Sequence, residues 1–182
     1  MVNVFDFWES NGFRAYEKGD VRIYTVEGED YLFVGPTLYA STSERPWYIK
    51  NVMPHAKGRV LEIGLGLGCA SKVILAKPQV SHLLTIEQNE NVISAFGRPL
   101  NKHNILLTDV NDWVKNIPQV NPFYDLIFVD HYTFSEETLY QLEELAIRLS
   151  PMIKEGGRMI FWVDENAPEE DKELIRRLWL TL

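Results

Sequence analysis

From Gly58 onward the chain repeats one pattern: a short apolar run followed by a segment with helical spacing. The runs are "RVLEI" (59–63), "HLLTI" (82–86), "NILL" (104–107), "YDLIFVD" (124–130) and "RMIFWV" (158–163). None alternates apolar with polar residues, as a strand does when one face meets water, so they read as strands covered on both faces. Between them "CASKVILAK", "NENVISAF", "NDWVKNI" and "SEETLYQLEELAIRL" read as helices. In the last of these, Leu139, Leu142, Ala146 and Leu149 share one face. Ser135 opens that segment, and Glu136 and Glu137 suit the positive end of its dipole. "KEGG" (154–157) is expected as the turn into the fifth strand. Strands and helices in alternation require right-handed crossovers, hence an α/β fold with a doubly wound, mostly parallel sheet.

The first fifty residues break the pattern. "VRIYTV" and "YLFVG" flank the turn-like "EGED", which predicts a β-hairpin, and "GPTLYASTSERPW" reads as a loop crossing toward the α/β body. The expected division is therefore a hairpin and covering segment over 1–50 and an α/β domain over 51–182. "PEEDKELIRRLWLTL", acidic at its start and basic at Arg176 and Arg177, suits a last helix. A formal net charge of −8 argues against nucleic-acid phosphates as partners and permits a cationic small molecule. A single cysteine, Cys69, excludes an internal disulfide. The start "MVNVFDFWES" has acids where a signal peptide has bases, and no apolar run reaches membrane-spanning length, so a cytoplasmic protein with no membrane partner is expected. The four histidines show no metal-ligand spacing, and no metal is expected.

"VLEIGLGLGCAS" sets Gly64, Gly66 and Gly68 between a strand and a helix, with Glu62 just before them. Glycines there let the chain turn sharply and let a ligand approach backbone N–H groups; a tight turn with no ligand is the plainer alternative. A dinucleotide fingerprint needs its third glycine where Cys69 stands. Cys69 itself reads as a small filler in the turn, not a nucleophile.

The glycine pattern resembles the first motif of class I S-adenosylmethionine-dependent methyltransferases, which implies a Rossmann-like sheet and that cofactor. By this resemblance the loop from Gly64 through Leu65, Gly66, Leu67 and Gly68 to Cys69, with Glu62 beside it, lies against the methionine part of the cofactor. Glu87 in "LLTIEQNENVI" matches the acid that holds the ribose, with Gln88 and Asn89 following it. A carboxylate accepts two hydroxyl protons well. Asp109 and Val110 match the place where the family holds adenine, although Asp109 reads equally as a helix N-cap.

"YDLIFVDHYTFSEET" is similar to the corresponding segment of guanidinoacetate N-methyltransferases, as are "GRVLEIGLGLGCASKV", "IEQN" and, more loosely, "ERPWY". That likeness implies that Asp130 and Glu44 hold a guanidinium, a planar fork of donors that carboxylates match in bidentate fashion. A carboxylate there also takes the proton that the nitrogen must lose, and the rest of the reaction is an in-line displacement. Tyr132 matches a family tyrosine and is expected to wall the substrate pocket; His131 beside it is either a pocket residue or a solvated loop histidine. Trp47, with Tyr48, either covers a sulfonium by cation–π contact or packs plainly.

Methyl transfer to a nitrogen of a small cationic substrate is the leading expectation. The alternatives are a spermidine-synthase-like aminopropyltransferase, methylation of arginine side chains in a protein, and a shortened cofactor-binding module without turnover. Against the aminopropyltransferase, Tyr132 and Thr133 stand where those enzymes carry a second aspartate. The segment after Trp162 reads as a helix and little more, a C-terminally shortened version of the family's sheet. Either the N-terminal hairpin or the second subunit of a homodimer is expected to cover the open edge.

Overall fold

The computed structural model describes residues 6–117, 122–132 and 136–181. The five apolar runs form β5 (Gly58–Ile63), β6 (Val80–Glu87), β7 (His103–Leu107), β8 (Tyr124–Val129) and β9 (Ile153–Phe161), all mutually parallel. The helices that follow the first four are α3 (Cys69–Leu75), α4 (Glu90–Phe96), α5 (Val110–Asn116) and α6 (Glu136–Leu149). Val60, Leu61, Leu126, Ile127, Phe128 and Ile160 are sealed from solvent, which is why these strands show no alternation. On α6, Leu142, Ala146 and Leu149 are buried as their shared face requires, with Leu145 joining them. Ser135, expected to open that helix, lies outside the described residues.

The order β9-β8-β5-β6-β7 reverses at the boundary between β5 and β8. At such a switch point the connections leave the two central strands in opposite directions, opening a crevice at their carboxyl ends. Gly64 follows β5 and Asp130 follows β8, so both stand at that crevice.

Four details differ from the sequence reading. "KEGG" lies within β9, where the pairing with β8 steps from Tyr124↔Ile153 to Leu126↔Arg158. The turn is thus an excursion inside the strand, with Gly156 at φ 72°, instead of a connection before it. The hairpin of β2 (Val21–Val26) and β3 (Glu29–Val34) is present, joined by Glu27 and Gly28 at φ 52° and 86°. It is, however, the centre of a four-stranded antiparallel sheet completed by β1 (Phe13–Lys18) and β4 (Thr37–Ser41). The segment read as a crossing loop therefore holds a strand, and helix α2 (Arg45–Asn51) follows it and runs across position 50.

The fourth difference is at the sheet edge. After α7 (Glu169–Arg176), β10 (Leu180–Thr181) pairs antiparallel with β9 through Leu180↔Met159 and Thr181↔Arg158. The Trp179 indole N–H reinforces it by donating to the Phe161 carbonyl at 3.0 Å. The chain's own last strand occupies this edge, and the N-terminal sheet lies elsewhere. Val21 and Leu32 pack with Leu65 of the glycine loop and Val92 of α4, while Asn89 and Asn91 donate to Asp20 at 3.3 and 3.2 Å. The small sheet is thus fastened over the carboxyl ends of β5 and β6.

Candidate active site

At the switch point backbone meets backbone. The Asp130 N–H donates to the Ile63 carbonyl at 2.7 Å, and a Cβ on Gly64 would fall 1.9 Å from the Asp130 carbonyl oxygen. Gly64, at φ 94°, is required by that contact as much as by its backbone angle. Gly68, at φ 67°, is needed because a Cβ there would meet the Phe96 ring at 2.2 Å. Glu87, buried at the end of β6, accepts from the Leu65 N–H at 3.0 Å and the Asn89 N–H at 2.8 Å. Each oxygen keeps a lone pair, so Glu87 both latches the glycine loop and remains able to accept ligand hydroxyls. Asn89 caps α4 through the Asn91 N–H at 2.9 Å. Asp109 caps α5, its Oδ1 accepting from Asn111 and Asp112 at 2.8 and 3.1 Å, which leaves Oδ2 outside the cap. Of the two readings of Asp109, the cap is present, and it does not consume the second oxygen.

Glu62 is sealed beneath the loop, where its Oε2 accepts from Ser71 and Thr85 at 2.5 Å each. Burial pushes its carboxyl up to about 7, against the pull of those hydroxyls. It ties β5 to α3 and β6 and is not among the residues lining the cavities described below.

Asp130 and Glu44 come together although 86 positions separate them in the chain (130 − 44). Glu44 ends a 3₁₀ turn capped by Ser41, with the Ser41 N–H donating back to Glu44 at 3.4 Å. The Tyr48 hydroxyl lies 3.0 Å from Glu44 Oε2 and 2.9 Å from Asp130 Oδ2. A phenol has one hydrogen and cannot donate to both carboxylates, so the second contact calls for a proton on one of the acids. Burial and the charge of Glu44 push Asp130 up to about 8, and burial raises Glu44 as well. The same surroundings hold the Tyr48 phenol well above its ordinary range, so it stays protonated. An entering cation would displace the extra proton and find two carboxylates facing it.

Three cavities meet along this crevice, and Tyr39 of β4 borders all of them. A small one of about 20 Å³ follows the glycine loop from Gly66 and Cys69 to Glu44, Tyr48 and Asp130. A second of about 20 Å³ lies between Glu87, Gln88, Asp109, Val110 and His131. The third, of about 660 Å³, opens outward from Glu44 and Asp130 past Trp47, Tyr132 and Asp164 to α7. Among the described residues its charged lining is Glu44, Asp130, Asp164, Glu165 and Asp171 against one cation, Lys172, which pairs with Glu169 at 3.0 Å. Trp47 and Tyr132 therefore stand on the wide cavity, whereas His131, grouped with them in the sequence, stands on the cavity with Glu87. The Tyr132 hydroxyl is bonded to the Trp162 carbonyl, which holds its ring as a wall. Trp47 also packs edge-on against Tyr48, with centroids 5.8 Å apart.

The chain matches no family model and no curated protein sequence. Among solved structures it is similar to the spermidine synthase of Thermotoga maritima, with TM-score 0.68 and 16% identity, over 91% of this chain and 62% of that one. It is similar, with TM-score 0.67 and 16% identity, to a spermidine synthase in complex with the transition-state analogue AdoDATO, again over 91% and 62%. The fold is the Rossmann-like α/β fold expected from the sequence, shared with the matched part of these two structures. The chain spans 62% of the length of each of these neighbours. These two solved structures thus share the fold of the spermidine-synthase-like alternative, and no guanidinoacetate N-methyltransferase is among them.

Sequence reasoning did not single out Tyr39, Ser41 or Asp164, and it read Tyr48 either as a sulfonium cover or as plain packing, not as a hydroxyl between two acids. Tyr39 and Ser41 lie in the stretch read as a loop. Asp164 follows Trp162 and Val163, in the segment that reads as a helix and little more.

Proposed function

We propose that the chain transfers an aminopropyl group from decarboxylated S-adenosylmethionine to a nitrogen of a small cationic amine. One observation carries this reading. The cavity that runs from the glycine loop to Asp130 has Glu44 and Asp130 as its charged residues, with no lysine, arginine or histidine among the described lining. A sulfonium tail ending in an amine suits such a wall. A tail that also bears a carboxylate would meet two acids and no cation. The spermidine-synthase fold supports the same choice, and the acidic lining of the wide cavity suits a cationic acceptor.

In this reading Glu87 accepts the ribose hydroxyls through its remaining lone pairs, and the glycine loop carries the sulfonium's substituents toward Asp130. Glu44, Tyr48 and Asp130 hold the acceptor as an ammonium. Asp130, once ionised, takes one proton from that nitrogen, whose freed electron pair attacks the carbon next to sulfur. The new N–C bond forms as the C–S bond breaks, and the electron pair left on sulfur yields a neutral thioether. Orientation supplies most of the acceleration, since the low-dielectric crevice needs only to keep nitrogen, carbon and sulfur in line.

Methyl transfer to a guanidino compound is the second reading, favoured by the Glu44–Asp130 pair, which matches a guanidinium fork. Calorimetry with both donors separates them. Decarboxylated S-adenosylmethionine is expected to bind at least tenfold tighter than the parent, about 1.4 kcal/mol. Tighter binding of the parent compound would reverse the assignment.

A further inference from the structure

Glu87 is held by two backbone donors, and the small N-terminal sheet reaches both of them. Its Oε2 accepts from the Leu65 N–H at 3.0 Å and its Oε1 from the Asn89 N–H at 2.8 Å. Leu65 is buried against Val21 and Leu32 of that sheet. Asn89 is met by the turn between β1 and β2, at Gly19 and Asp20.

The Asn89 amide has its orientation set by the helix that follows. Its Oδ1 is committed to the α4 cap, accepting from the Asn91 N–H at 2.9 Å, which turns Nδ2 the other way. There Asp20 receives it: Oδ2 accepts from Asn89 Nδ2 at 3.3 Å, and Oδ1 from Asn91 Nδ2 at 3.2 Å. The turn lies so near α4 that a Cβ on Gly19, at φ 59°, would meet Asn91 Nδ2 at 2.5 Å. Lys18 Nζ donates to Ser94 Oγ at 2.9 Å, and the Asp20 carbonyl accepts from the Gly35 N–H at 2.7 Å, so the carboxylate is carried on a fastened turn. Asp20 is not among the residues lining the three cavities described above. It acts on a ligand only through Asn89 and Glu87.

Resting on the nucleoside-donor reading above, we propose that Asp20 is a positioning residue. By holding the Asn89 side chain it keeps the Asn89 N–H on Glu87 Oε1, and so aims the carboxylate at the vicinal hydroxyls of the ligand's ribose. The small sheet thereby sets how well the diol is recognised, and not how the rest of the nucleoside binds.

Titration calorimetry with 5′-methylthioadenosine and its 2′,3′-dideoxy counterpart tests this without turnover. The wild-type chain is expected to bind the diol compound at least about tenfold tighter. Asp20 is exposed, so Asp20→Ala is expected to fold. That variant should bind the diol compound about fivefold more weakly, the scale of one hydrogen bond, with the dideoxy compound within about twofold of its wild-type affinity. Asp20→Asn, which keeps one acceptor oxygen, should recover part of the loss. A residue that merely fastens the sheet would weaken both compounds alike. Equal losses for the two compounds, or no loss in a folded Asp20→Ala chain, therefore overturn the role of Asp20 and leave the donor reading standing. A wild-type chain that binds the two compounds equally takes Glu87 off the ribose and the proposal with it, and one that binds neither removes the donor reading itself.

Discussion

Asp130 and Glu44 show how little of a site's electrostatics a sequence displays. Asp130 was legible from its place at the end of a strand, and Glu44 only through the likeness of "ERPWY" to a family segment. Their shared phenol was not, because Tyr48 beside Trp47 shows in sequence only a ring, to cover a sulfonium or to pack. Only the folded chain shows its hydroxyl within 3.0 Å of both carboxylates. The bond from Tyr48 holds the Asp130 carboxyl lower than burial alone would. Tyr48→Phe should therefore raise Asp130 further and move the acidic limb of the kcat/KM profile to higher pH. Turnover at neutral pH should drop by about tenfold, the scale of one lost charge-assisted hydrogen bond. A pH profile identical to the wild type would show that Tyr48 only packs.

At the scale of elements, the body strands were readable because burial on both faces leaves an apolar run with nothing to confuse it. Strands β1 and β4 were not. "FRAYEK" is exposed along almost its whole length, and "TLYAS" follows Gly35 and Pro36 and leads into Ser, Thr and Glu, the composition of a loop. Both are edge strands of the small sheet, where the pattern of a half-buried strand is weakest. Missing β4 meant missing Tyr39, whose phenol is pushed up to about 12 by burial and by Glu87 and Asp130, with the Gln88 side chain hydrogen-bonded to it. The cavities it borders toward Glu87 and along the glycine loop hold about 20 Å³ each, and ligand pockets run to hundreds of Å³. A nucleoside sulfonium reaching from Glu87 to Asp130 must move that ring aside. Tyr39→Ala should accordingly speed association of the sulfonium donor several-fold, read by stopped-flow fluorescence. It should also speed dissociation, since the ring no longer covers the bound molecule. Unchanged rates in both directions would remove Tyr39 from the path.

For the whole molecule, the doubly wound sheet followed from the alternation of runs and helices, while the covering of its edge did not. "LWLTL" is too short to announce a strand, and β10 is defined by its pairing with Met159 and Arg158 and by the Trp179 bond beside it. Two acids, the buried Glu62 and the half-buried Asp130, give the fold a pH dependence with a definite sign. Asp130, up at about 8, and Glu62, at about 7, hold protons in the folded chain that the unfolded chain releases near 4. Across the interval between, the folded state binds more protons, so stability falls as pH rises from about 4 to about 8, by at most ~1.4 kcal/mol per pH unit for each group. The thermal midpoint should thus be higher at pH 5 than at pH 8.5, and Asp130→Asn should flatten part of the slope. A midpoint that climbs over the same interval would mean that neither acid holds its proton in the folded chain as described.

The most direct measurement follows the fate of two carbons of decarboxylated S-adenosylmethionine, one labelled in the S-methyl group and one in the propyl chain. With a cationic diamine as acceptor, the propyl label should appear in the amine and the methyl label should remain on the thioether nucleoside. Recovery of the methyl label in the amine would contradict aminopropyl transfer and return the chain to methyl transfer.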